Sequence, residues 1–184
     1  MRATTKTSDD APAGSKRLSR ATSGVLGLTS ARSSASRSDK TTRPGRLDNE
    51  LFIRLVSAEP LAGLAAIDSI REGYSASILK SASRFFDVPD ARIQAIAQVP
   101  ASTASRLEKK QARIDPAATE RIYRIGSVTR MAIDVFEDQA AAIAWMRQPN
   151  RALGEAAPLE LMDTEPGAVA VRQVLNAIAT GGAA

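Results

Sequence analysis

The amino-acid sequence predicts an all-α fold, and three observations support this class. Beyond Arg46, apolar residues recur at spacings of three and four, which places them on one face of a helix. No segment sustains the apolar–polar alternation that marks a half-buried strand. Pro, Gly and short polar residues separate the periodic segments, as expected at helix ends and N-caps.

Residues 1–46 differ in composition from the rest of the 184-residue chain. They contain ten Lys or Arg, three Asp or Glu and sixteen Ser or Thr, so their net charge is +7 while that of the remainder is −2. Such a segment has too little apolar surface to offset the entropy of ordering, which predicts a disordered basic arm. Its Arg- and Ser-rich composition also fits a transit peptide, and its charge fits non-specific contacts with DNA phosphates.

Composition also limits the function. The chain has no Cys and no His, which removes disulfides, thiolate and imidazole metal ligands, Cys nucleophiles and the commonest general base. We find no Gly-rich phosphate-binding loop and no paired carboxylates beside one, so we expect a protein that is not an enzyme and holds no cofactor or metal. Its apolar stretches fall short of the roughly 20 residues of a membrane helix, so we expect a cytoplasmic protein. A carboxylate-based hydrolase stays open as an alternative.

Residues 47–114 are predicted to hold four short helices. The residues that would begin or cap them are, in order, Glu59-Pro60, Ser75, Asp90 and Ser102. The first helix ends at Gly73, and the fourth runs from Thr103 to about Gln111. The residues expected to face inward are Leu61, Leu64, Ile67 and Ile70 in the first helix, Ile78, Leu79, Ala82, Phe85 and Phe86 in the second, and Ile93 and Ile96 in the third.

The third and fourth helices, joined by a tight turn over residues 99–101, indicate a helix-turn-helix. The second helix of that motif lies in the major groove with its N-terminal residues toward the bases. Because Ala104 and Leu107 are the apolar positions that must pack inward, the opposite side faces DNA. The predicted DNA-binding residues are Ser102, Thr103, Ser105 and Arg106 at bases, and Lys109 and Lys110 at phosphates. The alternative is a capped helix whose basic residues are simply solvated.

Residues 115–184 are predicted to form a long helix, a short helix, a loop region and a final helix. The predicted N-caps are Asp115, Asp138, and Asp163 or Thr164, with Pro116 and Pro166 in first turns. The long helix carries Ile122, Ile125, Val128, Met131, Ala132, Val135 and Phe136, and the short helix carries Ile143, Trp145 and Met146. Pro149, Asn150, Gly154 and Pro158 supply the turn chemistry of the loops. Val171, Val174, Leu175 and Ile178 form the apolar stripe of the last helix, which Thr180-Gly181-Gly182 ends.

Part of this C-terminal region resembles a known family. Trp145, Pro149-Asn150, Ala152-Leu153-Gly154, Pro158-Leu159, Asp163-Thr164 and Gly167 are similar to the C-terminal toxin-binding domain of the Xre/ParS/MbcA-type antitoxins. Upstream, Thr103, Arg106, Ile114-Asp115-Pro116 and Glu120-Arg121 match the helix-turn-helix that precedes that domain. Ala104 and Leu107 depart from it, since the family often has Leu after the Thr and a second Arg after the first.

The resemblance implies an antitoxin of a type II toxin–antitoxin system. Such proteins bind RES-domain toxins, which consume NAD or use it to modify a target, and many repress their own operon. We therefore expect a steric block of a RES-type toxin, operator binding as a homodimer, and a higher toxin–antitoxin complex. The implied toxin-binding residues are Trp145, Pro149, Asn150, Leu153, Pro158, Leu159, Thr164, Val171, Val174, Leu175, Ile178, Gly181 and Gly182.

Two questions stay open at this point. Trp145 and the apolar stripe of the last helix fit the protein's own core as well as a partner surface, although the terminal position of the stripe favours a partner. The main alternative function is a stand-alone helix-turn-helix transcription regulator whose C-terminal domain serves only dimerisation.

Overall fold

The computed structural model describes residues 50–58 and 62–182. The predicted arm of residues 1–46 and the predicted helix start at Glu59-Pro60, with Leu61, lie outside the described residues. The helices that the structure describes are α1 (Leu51–Ser57), α2 (Gly63–Glu72), α3 (Ser77–Phe86), α4 (Asp90–Ala97), α5 (Ala101–Lys109), α6 (Pro116–Phe136), α7 (Gln139–Arg147), the 3-10 helices η1 (Arg151–Leu153) and η2 (Pro158–Asp163), and α8 (Glu165–Ala179). Within these residues, β structure is limited to two isolated bridges, Ser75 with Arg113 and Asn150 with Ala156. The predicted all-α class is confirmed.

The long helix α6 is the axis of the fold. Its N-cap is Asp115, whose Oδ1 accepts a hydrogen bond from the Ala118 amide at 2.9 Å, and Pro116 occupies the first turn. Helices α1, α2, α4, α7 and α8 and the 3-10 helix η2 all pack against it. The side chains of Ile122, Ile125 and Val128 are fully buried along this contact.

Helix α1 was not predicted, yet it contributes to the core. Phe52 is fully buried, and its ring lies 5.1 Å from that of Phe85 and 5.5 Å from that of Phe86. Arg130 of α6 donates from Nε to the Val56 carbonyl and from Nη2 to the Leu55 carbonyl, each at 2.7 Å, so a guanidinium satisfies the C-terminal carbonyls of α1. The apolar spacing of Leu51, Phe52, Leu55 and Val56 was the available signal.

The predicted inward face of α2 is confirmed for Ile70, which is half-buried, but is wrong for Leu64 and Ile67. Leu64 is 78% exposed and Ile67 is 42% exposed, whereas the small residue Ala66 is buried. Helix α2 packs on α6, and its contact runs along the side of Ala66, Ser69 and Ile70. The apolar periodicity therefore identified the helix but not the direction in which it faces.

Three predicted caps are displaced and three are confirmed. Ser75 does not cap α3, whose N-cap is Ala76, and instead bridges to Arg113. Asp90 and Ser102 lie inside the first turns of their helices, because Pro89 and Pro100 occupy the N-cap positions. Asp115, Asp138 and Thr164 each accept a hydrogen bond from the amide three residues ahead, as predicted.

The buried apolar residues form one cluster from Phe52 to Leu175. Residues on both sides of the predicted boundary at 114/115 belong to this cluster, and α6 contributes to it along most of its length. The helices of the N-terminal half and the C-terminal segment consequently share a core rather than two separate ones.

Candidate functional site

Helices α4 and α5 form a helix-turn-helix with a three-residue connection. Gln98 adopts a left-handed conformation with φ +56°, and its amide donates to the Ala95 carbonyl at 3.0 Å. Val99 is buried and its amide donates to the Gln94 carbonyl at 2.9 Å, after which Pro100 starts α5. Arg121 of α6 braces this turn, because its Nη2 donates to Gln98 Oε1 at 2.8 Å. Arg121 therefore stabilises the turn between α4 and α5.

Helix α5 presents its polar side to solvent. Ala104 is buried and Leu107 is half-buried against the core, as predicted. Ser102, Ser105, Arg106, Lys109 and Lys110 are exposed, and Thr103 is half-buried. Within the described part of the chain, Arg106, Lys109 and Lys110 form no ion pair. The structure therefore places five of the six predicted DNA-binding residues on α5 and the sixth, Lys110, at its C-cap, and their three cations form no ion pair within the described residues.

A small cleft of about 150 Å³ lies beneath α5. The residues that line it include Leu79 of α3, the N-cap residue Ala76, and Ala101, Ala104 and Ser105 of α5. One ion pair spans it, from Lys80 Nζ to Glu108 Oε1 at 3.5 Å.

In the C-terminal region, Asn150 fixes the path of the loops. Its Oδ1 accepts from the Ala152 amide at 2.8 Å, and its carbonyl accepts from the amides of Leu153 and Glu155, each at 3.0 Å. Gly154 takes the left-handed conformation that ends η1, with φ +68°. In this region, Asn150 and Gly154, which belong to the family resemblance, therefore determine the conformation of the loop itself.

The start of α8 is held by charge as well as by its cap. Thr164 Oγ1 accepts from the Gly167 amide at 3.2 Å. The buried Arg124 of α6 donates to the Met162 carbonyl at 3.0 Å and also pairs with Glu120. Its Nε lies 3.1 Å from Glu165 Oε2, an ion pair without hydrogen-bond alignment, and Glu165 also pairs with Arg172. This network fastens η2 and the first turn of α8 to the long helix.

Two ion pairs link the helix-turn-helix region to the C-terminal segments. Arg92 of α4 contacts Glu160 of η2 at 2.7 Å, and Arg147 of α7 contacts Asp87, just after α3, at 3.4 Å. Both pairs involve side chains that are partly exposed to solvent, so each contributes little to stability by itself.

The predicted toxin-binding residues do not lie on one surface. Pro149, Thr164, Gly181 and Gly182 are exposed, while Asn150, Leu153, Trp145 and Ile178 are half-buried. Trp145 packs against Phe136 with ring centroids 5.6 Å apart. Five further members are core residues: Pro158, Leu159, Val171, Val174 and Leu175.

The expectation that the apolar stripe of the last helix faces a partner is therefore corrected for Val171, Val174 and Leu175, while Ile178 is half-buried. Val171 and Leu175 are fully buried in the protein's own core, where α8 packs on α6 and η2. A side chain without accessible surface has no contact area to offer in this conformation. Pro158 and Leu159 are also buried and therefore unavailable to a partner, because η2 packs against α4, α6 and α8.

Within residues 50–58 and 62–182, no three His, Cys, Asp or Glu side chains cluster as metal ligands would. No helix in those two ranges is both long and apolar enough to span a bilayer.

The fold and its exposed basic helix define a helix-turn-helix protein that carries a second, C-terminal module on a shared long helix. Comparison with known families identifies both parts. The Antitoxin Xre-like helix-turn-helix domain matches residues 65–126, and the Antitoxin Xre/MbcA/ParS C-terminal toxin-binding domain matches residues 131–181.

Curated relatives agree with the domain matches. The chain is 32% identical over 120 residues to an Antitoxin Xre of Yersinia enterocolitica, which covers 65% of this chain and 81% of the relative. It is 28% identical over 113 residues to an Antitoxin Xre of Photorhabdus laumondii, covering 61% and 76% respectively. An Antitoxin Xre of Pseudomonas putida is 29% identical over 114 residues, covering 61% and 69%. The chain belongs to the Xre/MbcA/ParS antitoxin family and has the helix-turn-helix and toxin-binding domains of a toxin–antitoxin system antitoxin.

Proposed function

We propose that this protein neutralises a RES-type toxin, an enzyme that consumes NAD or uses it for ADP-ribosylation, by covering the toxin's active-site cleft. We further propose that the protein acts in the cytoplasm, catalyses no reaction itself, and represses its own operon by binding operator DNA as a homodimer. The observation that carries the first part is a toxin-binding domain whose last helix presents a row of four exposed uncharged residues and an exposed end.

Helix α8 has two unlike faces, and only one is available to a toxin. Its apolar face packs into the protein's own core. The opposite face carries Val169, Gln173, Asn176 and Thr180, which are all exposed and follow one another at helical spacing. We call these four residues the outer face of α8.

The chemistry of the outer face of α8 suits a protein partner. It is uncharged, although charged residues make up 24% of the chain. Glu165 and Arg172 lie on the same side of α8, where they form an ion pair with each other. Amide and hydroxyl groups form hydrogen bonds across an interface at a lower desolvation cost than charges do. The exposed Gly181 and Gly182 continue this uncharged surface beyond the end of the helix.

We include in the toxin contact those predicted toxin-binding residues that the structure leaves exposed or half-buried. Pro149 and Thr164 are accessible, and the half-buried Asn150, Leu153, Trp145 and Ile178 supply their edges. In contrast, the buried members of the predicted set hold α8 and η2 in place; these are Pro158, Leu159, Val171, Val174 and Leu175.

The test is co-expression of this protein with the product of the neighbouring gene, followed by pull-down and measurement of cellular NAD. We expect a complex and preserved NAD if that product is a RES-type enzyme. Removal of Gly181 to Ala184 should leave the complex intact but allow NAD to fall and toxicity to return. Full protection by the truncated protein would exclude a terminal plug and leave inhibition to the main interface.

A pair of matched variants tests the outer face of α8. Val169 and Ile53 are 40% and 41% exposed, and each lies on the outside of a helix. Val169→Asp should weaken toxin binding, since it places a charge in an uncharged interface, while Ile53→Asp should not. Neither change should alter the melting temperature by much. Equal toxin binding by both variants would exclude the outer face of α8 as the contact.

A further inference from the structure

We propose that Arg106 of α5 reads a guanine in the major groove and is the main determinant of the operator sequence. The inference rests on the proposed operator binding and deepens it by naming the base that the site recognises. It depends on where Arg106 lies on the helix, on which charges surround it, and on what its neighbours can contact.

The position of Arg106 follows from the two residues of α5 that face the core. Ala104 is buried and Leu107 is half-buried, and successive residues of a helix are about 100° apart around its axis. Ser102 and Lys109 therefore lie opposite the core, and Arg106 lies within about 50° of that direction. Because helical side chains lean toward the N-terminus, the guanidinium extends over the turn that begins at Ser102. That is the end of a recognition helix that reaches the bases.

No acidic residue of α5 competes with DNA for this guanidinium. The single carboxylate of the helix is Glu108, whose Oε1 lies 3.5 Å from Lys80 Nζ on the side of α3. Arg106 is exposed and forms no ion pair in either of the two ranges that the structure describes. The residues about one turn away from it are Ser102, Thr103, Lys109 and Lys110. None of these is acidic, so the guanidinium can contact DNA.

The side chains on the exposed side of α5 differ in how well they distinguish bases. The planar fork of an arginine matches O6 and N7 of guanine with two hydrogen bonds, which is the commonest base-specific contact in the major groove. A serine hydroxyl both donates and accepts, so Ser102 and Ser105 suit more than one base. Lys109 is a point charge on a flexible stem, which suits a phosphate. The sequence preference of each bound copy should therefore centre on one G·C base pair.

Selection from random-sequence duplex DNA, with the purified full-length protein, tests the inference. The wild type should enrich one position strongly for guanine, and Arg106→Ala should lose that preference, because α5 has no second arginine. Lys109→Ala is the matched control and should keep the guanine while recovering less DNA of every sequence. An unchanged guanine preference in Arg106→Ala would overturn the inference, as would wild-type sites without a strongly specified guanine.

Replacement of the selected guanine by 7-deazaguanine tests the contact at the level of one atom. This base lacks the N7 acceptor but still pairs with cytosine. The affinity of the wild type should fall about tenfold, as expected for a lost hydrogen bond to a charged donor, whereas Arg106→Ala should bind both DNAs alike. No loss for the wild type, or equal losses for both proteins, would overturn the inference.

Failure of the inference and failure of operator binding give different results. Without operator binding, the wild type enriches no sequence, and the inference fails with it. With operator binding, a guanine that does not depend on Arg106 overturns the inference alone. Because Arg106 is exposed, Arg106→Ala should melt at the wild-type temperature. The 7-deazaguanine measurement on the wild type needs no variant, so it decides the matter even if Arg106→Ala folds poorly.

Discussion

Gly167 shows how one residue determines the docking of the last helix. It lies in the first turn of α8, and a Cβ atom built there would stand 2.1 Å from the carbonyl oxygen of Leu161. This contact is with backbone, which does not yield as a flexible side chain would. The glycine is therefore required by the close approach of η2 to α8.

Gly167→Ala should destabilise the protein by about 3 kcal/mol, the upper range for forcing an added methyl group into a packed site. Gly154→Ala is the matched control, because Gly154 has open space around its Cβ position but a left-handed φ of +68°. That backbone strain should cost about 1 kcal/mol. Chemical denaturation of both variants measures the difference, and a larger loss for Gly154→Ala would show that the Leu161 contact relaxes easily.

At the scale of elements, α5 has the features of a recognition helix attached by a small contact. It buries Ala104 and part of Leu107 while its cationic side chains remain free. Substitutions on its outer side can therefore alter DNA binding without disturbing the core.

Arg106→Ala should weaken specific operator binding by about 1–3 kcal/mol if the guanidinium contacts a base edge. Lys109→Ala is the comparison. If Lys109 contacts a phosphate, its loss should weaken binding to operator and random DNA alike and reduce the slope of log K against log salt concentration by about 1. Binding to both DNAs is measured by fluorescence anisotropy over a range of salt. Equal losses on both DNAs for Arg106→Ala would reassign it to a phosphate, and no loss would favour a merely solvated helix.

Helix α8 illustrates why an apolar stripe does not identify its own partner. Periodicity correctly predicted the stripe of Val171, Val174 and Leu175, as well as the cap at Thr164. The same stripe satisfies the requirement for burial whether it packs on α6 or on a toxin. Only the position of α6 and η2 decides that it belongs to the core, and that the outer face of α8 is the one left exposed.

At the scale of the whole molecule, one core unites the helix-turn-helix with the toxin-binding domain. Its buried residues begin at Phe52, well after the basic segment of residues 1–46. The +7 charge of that segment is more than the net charge of +5 of the entire chain.

Deletion of residues 1–46 should leave the melting temperature and helical content nearly unchanged, because the core retains all its described members from Phe52 onward. Toxin neutralisation should persist. DNA binding should become less dependent on salt, since fewer phosphate contacts release fewer counterions. Circular dichroism and salt-dependent DNA binding measure these effects, and an unfolded truncated protein would show that the segment is structural.

The sequence alone determined the helical class, the helix-turn-helix, three N-caps and the family. These features depend on local chemistry: the spacing of apolar residues, the oxygens of Asp115, Asp138 and Thr164, and the turn preferences of Pro149, Asn150 and Gly154. They required no knowledge of which helix touches which.

Tertiary structure decided the direction in which each helix faces. It buried Val171 and Leu175, exposed Leu64 and Ile67, and added α1 to the core through Phe52. The physical reason is that periodicity records only that one side of a helix is apolar, whereas burial depends on neighbours far away in the chain. The positions of α6 and η2 were needed to locate the accessible surface of the toxin-binding domain.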